Sequence, residues 1–348
     1  NDLIYGSVSG KKVDENGSAL GGALIGLFHT DDGEFTKENA LMTATSAEDG
    51  SFSFESIPYG TWYVREIEQP AGFVLDDTIY PVTIGADGQV VEIEIVNRYV
   101  RGNIHLTKVD SEYPDNKLTG ATFEVYKDSN ANGKLDDGDE LLGTMTEKEI
   151  GKYGMNDLFY GRYFVKETKA PEGFVLDTGV YEVMIDTNGK TCEVENKAGV
   201  GFINEAMRGN LKIVKTSSDG KVKGFAFRIT GANGYDIILE TNDKGEIFID
   251  GLRIGDYTIS EVSNSASSMY VLPADKKATV KLGSTTIVEM HNVLRDTPKT
   301  GDTPNLPLLY ALCFGMPGIP CVYYGSEWGA RGRKEEGDRA LRPCFAQP

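Results

Sequence analysis

The stretch YVREIEQPAGFVLDD, residues 63–77, returns in a closely similar form as YFVKETKAPEGFVLDTG, residues 163–179. Each copy alternates apolar and polar residues as a half-buried strand does, and each then enters a Pro-x-Gly-Phe turn. Each also places a glutamate, Glu66 or Glu167, among the apolar residues of that strand. A repeat of this kind indicates tandem copies of one structural unit, so the fold is inferred unit by unit.

The tripeptide Arg-Gly-Asn marks where the second and third units begin, at Arg101 and Arg208. Each unit opens with an alternating strand and closes with a strand that ends in asparagine. The predicted units cover residues 1–100, 101–207 and 208–296, and an irregular C-terminal tail covers residues 297–348. Short strands separated by glycine-rich turns predict an all-β chain, in which three tandem β-sandwiches form a rod.

Composition limits the classes of partner. The formal net charge is −18 over 348 residues. Proteins that bind nucleic acid need a basic face to neutralise phosphates, so a nucleic-acid partner is not expected. Of the four cysteines, only Cys192 lies in the patterned body. A disulfide framework across the domains is therefore not expected either.

The same three polar residue types recur in the same order in every unit. A lysine lies on the first strand, a glutamate on a middle strand and an asparagine at the end of the last strand. The lysines are Lys12, Lys108 and Lys215, the glutamates are Glu66, Glu167 and Glu261, and the asparagines are Asn97, Asn204 and Asn292. The side-chain period of a strand puts each lysine in phase with apolar residues, which predicts that it points into the sandwich.

Two of these assignments have a neighbouring competitor. Lys11 lies directly beside Lys12 on the first strand. In the second unit Asn196 competes with Asn204. We prefer Asn204 because its distance from the following Arg-Gly-Asn tripeptide equals that of Asn97.

Burial of such a set predicts a reaction. Desolvation lowers the pKa of a lysine and raises the pKa of a carboxyl group, which favours the neutral form of both. A neutral amine is a nucleophile, and a neutral carboxylic acid can polarise the asparagine carboxamide and protonate its departing nitrogen. The expected product is an amide between the lysine and asparagine side chains, with ammonia released. The alternative is a buried ion pair without a bond, above all in the first unit.

Residues 1–296 resemble tandem Cna B-type domains, also called SpaA-like or collagen-adhesin B domains, of Gram-positive surface proteins. The resemblance rests on the stretches LTKVDSEYPDNKLTGATFEVYKD, VKETKAPEGF and LKIVKTSSDGKVKGFAFRITG, residues 106–128, 165–174 and 211–231. It implies immunoglobulin-like or prealbumin-like sandwiches, each closed by a self-formed isopeptide bond between the first-strand lysine and the last-strand asparagine. It also implies that the glutamate promotes this bond. The third unit keeps the three residues but lacks the Pro-x-Gly turn.

The stretch DSNANGKLDDGD, residues 128–139, has the oxygen-ligand spacing of a calcium loop. The predicted ligands are the side chains of Asp128, Asn130, Asn132, Asp136 and Asp139 and the backbone carbonyl of Lys134. The alternative is an acidic loop without an ion. No cofactor other than Ca²⁺ is expected.

The tail carries two further resemblances. The stretch DTPKTGDTP resembles the sortase signal Leu-Pro-x-Thr-Gly with Thr297 in the leucine position, which predicts cleavage between Thr300 and Gly301. The alternative is a Pro/Thr-rich linker. Residues 314–343 resemble the end of an α-amylase-family barrel, but the strands that would carry catalytic carboxylates are missing from the sequence.

Together these features predict a structural protein rather than an enzyme with turnover. The expected function is a stalk, adhesin or accessory pilin segment that is extracellular and anchored to the cell wall. Its expected partners are sortase and peptidoglycan, and a host or environmental surface ligand is a further expectation. The alternative function is the non-catalytic stalk of a surface carbohydrate-active, amylase-like enzyme.

Overall fold

The first domain is a sandwich of two four-stranded sheets. The computed structural model describes residues 3–295. The predicted sortase signal and the amylase-like segment lie outside these residues. The strands of the first domain are β1 (Tyr5–Asp14), β2 (Leu24–Phe28), β3 (Met42–Thr45), β4 (Ser51–Pro58), β5 (Gly60–Glu68), β6 (Phe73–Val74), β7 (Tyr80–Ile84) and β8 (Val90–Tyr99). Their orders are β4-β1-β8-β6 and β3-β2-β5-β7.

The second domain repeats this plan but interrupts its last strand. Its strands are β9 (Arg101–Asp110), β10 (Thr122–Lys127), β11 (Glu140–Thr144), β12 (Thr146–Glu149), β13 (Lys152–Phe159), β14 (Gly161–Lys169), β15 (Val180–Ile185), β16 (Thr191–Glu193) and β17 (Phe202–Asn204). The sheets are β11-β10-β14-β15 and β12-β13-β9-β16, and β17 also pairs with β9. The competing Asn196 lies in the segment between β16 and β17.

The third domain returns to a continuous last strand. Its elements are β18 (Arg208–Ser217), β19 (Ala226–Thr230), a 3-10 turn (Ala232–Gly234), β20 (Asp236–Glu240), β21 (Glu246–Arg253), β22 (Gly255–Val262), β23 (Tyr270–Val271), β24 (Lys276–Val280) and β25 (Thr285–Leu294). The sheets are β21-β18-β25-β23 and β20-β19-β22-β24. The prediction of an all-β chain of three sandwiches is confirmed. Within residues 3–295, no helix has the length and apolar character needed to cross a membrane.

Each domain buries its own apolar core between its two sheets. Along β5, Trp62, Val64 and Glu66 are buried and alternate with less buried neighbours. In β14, Val165 and Glu167 are buried in the same phase. The glutamates therefore lie on the inner face because the period of the strand gives them no other side.

Arginine side chains join each domain to the next. Arg253 in the third domain donates one hydrogen bond to each carboxylate oxygen of Asp110 in the second, both at 2.6 Å, and another to Glu112 at 2.9 Å. At the other junction, Arg101 donates to Glu15 at 2.7 Å. A bidentate arginine–carboxylate pair fixes orientation as well as distance, so the junction between the second and third domains has a defined geometry.

Candidate functional site

The first strand of every domain runs parallel to the last strand in the same register. Lys12 stands opposite Ile95, Lys108 opposite Phe202, and Lys215 opposite Met290. In each domain the asparagine is two residues further along the last strand. Because side chains alternate with a period of two, this register puts the amine and the carboxamide on the same face of neighbouring strands.

The glutamate of each set comes from the opposite sheet. Glu66 on β5 pairs with Ile25, Glu167 on β14 with Phe123, and Glu261 on β22 with Phe227. The two sheets therefore present their polar residues to one another across the core.

These polar side chains are buried as deeply as the apolar core. Their exposed fractions are 0, 0 and 1% for Lys12, Lys108 and Lys215, 1, 0 and 8% for Glu66, Glu167 and Glu261, and 0, 3 and 0% for Asn97, Asn204 and Asn292. Lysine and glutamate are almost never buried to this degree without a partner. These nine side chains are therefore core residues rather than solvated surface residues.

In the first domain the three side chains form one hydrogen-bonded chain. The Nζ of Lys12 donates to the Oδ1 of Asn97 at 2.5 Å and to the carbonyl of Ile95 at 3.1 Å. The Nδ2 of Asn97 donates to the Oε1 of Glu66 at 2.9 Å. The carboxamide therefore lies between the amine and the acid.

In the second domain the glutamate contacts both of its partners. The Nδ2 of Asn204 donates to the Oε2 of Glu167 at 2.8 Å. The Nζ of Lys108 lies 4.0 Å from the Oε1 of Glu167 and donates to the carbonyl of Phe202 at 3.0 Å. Asn196 instead donates to Asp177 at 2.6 Å. The structure thus brings Asn204 to Glu167 and directs Asn196 elsewhere.

In the third domain the glutamate and the asparagine are hydrogen-bonded, but the lysine amine points away from them. The Nδ2 of Asn292 donates to the Oε1 of Glu261 at 2.6 Å. The Nζ of Lys215 donates to the carbonyl of Thr216 and lies 4.1 Å from the centre of the Phe225 ring. The three residues share one buried site, although the amine faces an aromatic ring.

Burial favours the neutral amine and the neutral carboxyl group at all three sites, as the predicted amide formation requires. Desolvation lowers the pKa of Lys108 to about 8, although the charges of Glu167 and Asp177 oppose this shift. The pKa values of Lys12 and Lys215 are lowered by the same cause. Desolvation also raises the pKa of each partner glutamate and outweighs the hydrogen bonds that favour its charged form.

In the second and third domains, two unpaired oxygens in each site point to a neutral acid. In the second domain the buried Oε1 of Glu167 and Oδ1 of Asn204 have no hydrogen-bond partner among the described residues. In the third, the same holds for the Oε2 of Glu261 and the Oδ1 of Asn292. Unpaired buried acceptors are costly, and a protonated carboxyl supplies one O–H donor. A protonated carboxyl would therefore supply a donor that the ionised form lacks.

The predicted calcium loop closes mainly on itself. Asp128 accepts the backbone N–H groups of Asn132 and Gly133, both at 3.1 Å, while Asp139 accepts those of Ser129 and Asp136. The side-chain amides of Asn130 and Asn132 donate to Asp136. In the part of the chain that the structure describes, no cluster of three or more His, Cys, Asp or Glu side chains is arranged to hold a metal ion. Calcium binding by this loop, including its Lys134 carbonyl, stays a prediction.

Sequence reasoning missed one set of residues at the site. The backbone N–H of Asp76 donates to Glu66 at 2.7 Å, and that of Asp177 donates to Glu167 at 2.8 Å. The signal that could have found them is a shared spacing, with an aspartate ten residues after the glutamate in both units.

The comparisons with known proteins agree with this architecture. Residues 6–99, 102–198 and 209–293 each match the family model described as SpaA, prealbumin-like fold domain. The chain belongs to this family. The family thus accounts for all three described domains.

Individual relatives cover only part of this chain or are much longer than it. The Trypsin-resistant surface T6 protein of Streptococcus pyogenes serotype M6 is 30% identical over 186 residues, which are 52% of this chain and 30% of that protein. Colossin-A of Dictyostelium discoideum is 21% identical over 324 residues, which are 77% of this chain and 3% of that protein. This chain therefore spans less than a third of the length of these curated relatives.

Among solved structures, the Bacillus anthracis TIE protein superimposes with a TM-score of 0.62 at 25% identity. The match covers 83% of this chain and 51% of that one. The tandem arrangement of sandwiches is thus shared with a solved protein.

Proposed function

We propose that this chain is a structural stalk segment of a cell-surface adhesin or accessory pilin, and that each of its domains welds its first strand to its last by an isopeptide bond. The observation that carries the proposal is the burial of a lysine, a glutamate and an asparagine together, in one strand register, in three successive domains. Chance placement of solvated residues does not produce that register three times.

The reaction follows from the contacts in the first domain. The neutral amine of Lys12 attacks the Cγ of Asn97, which lies between the amine and the acid. The Nζ–Cγ bond forms and the Cγ–Nδ2 bond breaks. Glu66 gives its proton to Nδ2, which leaves as ammonia, and takes back the proton that the amine loses. Each domain reacts once, so the glutamate acts in a single turnover.

The position of the bond explains its use in a stalk. Lys12 and Asn97 are 85 residues apart in sequence and adjacent in space. A bond between them closes nearly the whole domain into a loop and stabilises it by about 4.5 kcal/mol in the chain-entropy model. Tension applied at the two ends of a domain would pass through this covalent bond rather than through the sheet hydrogen bonds.

The proposed location is the outside of the cell wall. It is supported by the acidic composition, by the family, and by the surface location named for the streptococcal relative. The proposed partners are sortase and peptidoglycan, through Thr300 and Gly301 in the sequence. Incubation with a sortase and a glycine peptide is expected to give a product joined at Thr300, and a Thr300→Ala variant is expected to stay intact.

Intact-mass measurement tests the bonds. The protein is expected to be lighter than its sequence mass by three molecules of ammonia, one for each domain. Each of three variants is expected to lack one bond, so its mass deficit falls from three ammonia molecules to two: Glu66→Gln, Glu167→Gln and Glu261→Gln. The control Glu55→Gln, at an exposed position of β4, is expected to keep the full deficit. A parent protein with its full sequence mass would contradict the proposal.

A further inference from the structure

A tight turn follows the glutamate strand in the first two domains and reaches back to the glutamate. In both domains an aspartate stands ten residues after the glutamate and a tyrosine four residues after the aspartate. The pairs are Asp76 with Tyr80 and Asp177 with Tyr181. Neither pair takes part in the bond-forming steps of the proposed reaction.

In the first domain the turn is fixed at both ends. The backbone N–H of Asp76 donates to the Oε2 of Glu66 at 2.7 Å. The Oδ2 of Asp76 accepts the hydroxyl of Tyr80 at 2.6 Å, and its Oδ1 accepts the hydroxyl of Thr78 at 2.6 Å. The tyrosine therefore anchors the aspartate, and the aspartate backbone holds the glutamate.

The second domain builds the same contacts. The backbone N–H of Asp177 donates to the Oε2 of Glu167 at 2.8 Å. The Oδ2 of Asp177 accepts the hydroxyl of Tyr181 at 2.8 Å and the amide of Asn196 at 2.6 Å. Burial raises the pKa of Tyr181 to about 12, so its hydroxyl stays a donor at neutral pH. Asn196, which sequence reasoning weighed as a reactive residue, thus braces the turn.

The third domain lacks this device. By strand pairing the equivalent positions are Pro273 and Lys276, because Tyr270 pairs with Leu294 as Phe73 pairs with Tyr99, and Lys276 pairs with Ile259 as Tyr80 pairs with Val64. Proline carries no backbone N–H, so Pro273 cannot donate the hydrogen bond that Asp76 and Asp177 donate. The Oε2 of Glu261 has no hydrogen-bond partner among residues 3–295. Among the described residues, Glu261 accepts a hydrogen bond from Asn292 alone, whereas Glu66 and Glu167 each accept one from a backbone N–H as well.

We propose that Asp76 with Tyr80, and Asp177 with Tyr181, are positioning residues that orient the bond-forming glutamate, and that the third domain forms its bond more slowly because it lacks them. This inference rests on the proposed isopeptide function. The backbone donor fixes the position of Oε2, and in the second domain the Nδ2 of Asn204 donates to this same oxygen. In the first domain Oε1 lies 2.9 Å from the Nδ2 of Asn97, and in the second it lies 4.0 Å from the Nζ of Lys108.

The aspartate also affects the site through its charge. The titratable groups that act on Glu167 are Lys108 and Asp177, and Tyr181 lies next to them. The negative charge of Asp177 raises the pKa of Glu167 and also that of Lys108. Removing this charge moves both pKa values down, so the whole pH profile of bond formation is expected to move to lower pH.

The test measures the rate of bond formation in each domain of the full chain. Cell-free synthesis is stopped after a short pulse, and samples taken over time are digested and analysed for each cross-linked peptide. In the parent chain the bond of the third domain is expected to form about tenfold more slowly than the other two. This is the effect of losing one hydrogen bond to a charged or reacting group. This comparison needs no variant, but the Lys215 amine also faces Phe225 in the third domain, so the variants carry the test of positioning.

Variants then separate positioning from folding. Tyr181→Phe is expected to slow the second-domain bond about tenfold without moving its pH profile. Asp177→Asn is expected to slow the bond and shift the profile to lower pH. Tyr80→Phe repeats the test in the first domain. The matched control is Tyr126→Phe, which removes a hydroxyl that donates to Glu124 in the same domain and is expected to change neither rate nor profile.

The outcomes distinguish the two proposals. If no domain forms a bond, the isopeptide function fails, and the positioning proposal fails with it. If the bonds form but Tyr181→Phe and Tyr80→Phe leave their rates unchanged, the positioning proposal alone is overturned, whatever the rate of the third-domain bond.

Discussion

If the domains carry the proposed bonds, replacing one glutamate should leave its domain without a cross-link but with the same fold. Glu167→Gln keeps the volume of the buried side chain and an oxygen that can accept the Asp177 N–H. It removes the acid that, in the proposed reaction, protonates the departing nitrogen of Asn204. The lost loop between Lys108 and Asn204 spans 204 − 108 = 96 residues. Loop-closure entropy then predicts a loss of about 4.5 to 5 kcal/mol.

The unfolding temperature should report this loss directly. For a domain of this size about 4.5 kcal/mol corresponds to a fall of roughly 20 to 40 °C in the second-domain transition. Differential scanning calorimetry of the full chain measures it, and the mass of the same sample shows whether the ammonia is retained. The matched control is Glu193→Gln, at an exposed position of β16, which should melt like the parent.

Two results would refute this reasoning. One is a variant that has its full sequence mass, and so lacks the bond, yet melts at the parent temperature, which would mean that the bond does not stabilise the domain. The other is a variant that still loses ammonia, which would mean that Glu167 does not promote the bond.

Three further predictions concern the amine, the junction and the loop. In an unlinked Asn204→Ala variant, stability against urea should rise with pH between about 8 and 10.5, because Lys108 has its pKa lowered in the fold and the unfolded chain binds the extra proton; stability that is flat or falls over this range would contradict the buried amine. Arg253→Met should widen the range of angles between the second and third domains, measured by solution scattering, because the bidentate pair with Asp110 is lost. An unchanged scattering curve would show that other contacts fix the junction. Millimolar Ca²⁺ should raise the second-domain melting temperature, and Asp136→Asn should remove the effect; identical melting in Ca²⁺ and in chelator would leave the loop without an ion.

The sequence predicted the parts of the site that depend on strand period and chain order. Glu66 and Glu167 had to be in phase with buried valines, and the phase of Lys108 on its strand followed in the same way. The choice between Asn196 and Asn204 was harder, because the last strand is interrupted between them and only the pairing of β17 with β9 fixes the register.

The positioning turns and the junctions could not be predicted from residue type. The contact of Asp76 with Glu66 is made by a backbone N–H, which every residue except proline carries. The pair of Arg253 with Asp110 depends on how two domains meet, and the strand patterns within each domain do not determine that.

Tandem mass spectrometry of a complete protease digest tests the central claim most directly. The account predicts three branched peptides, each lighter by one ammonia and resistant to reducing agents, that join Lys12 to Asn97, Lys108 to Asn204 and Lys215 to Asn292. Linear peptides that carry these lysines and asparagines unmodified would contradict it.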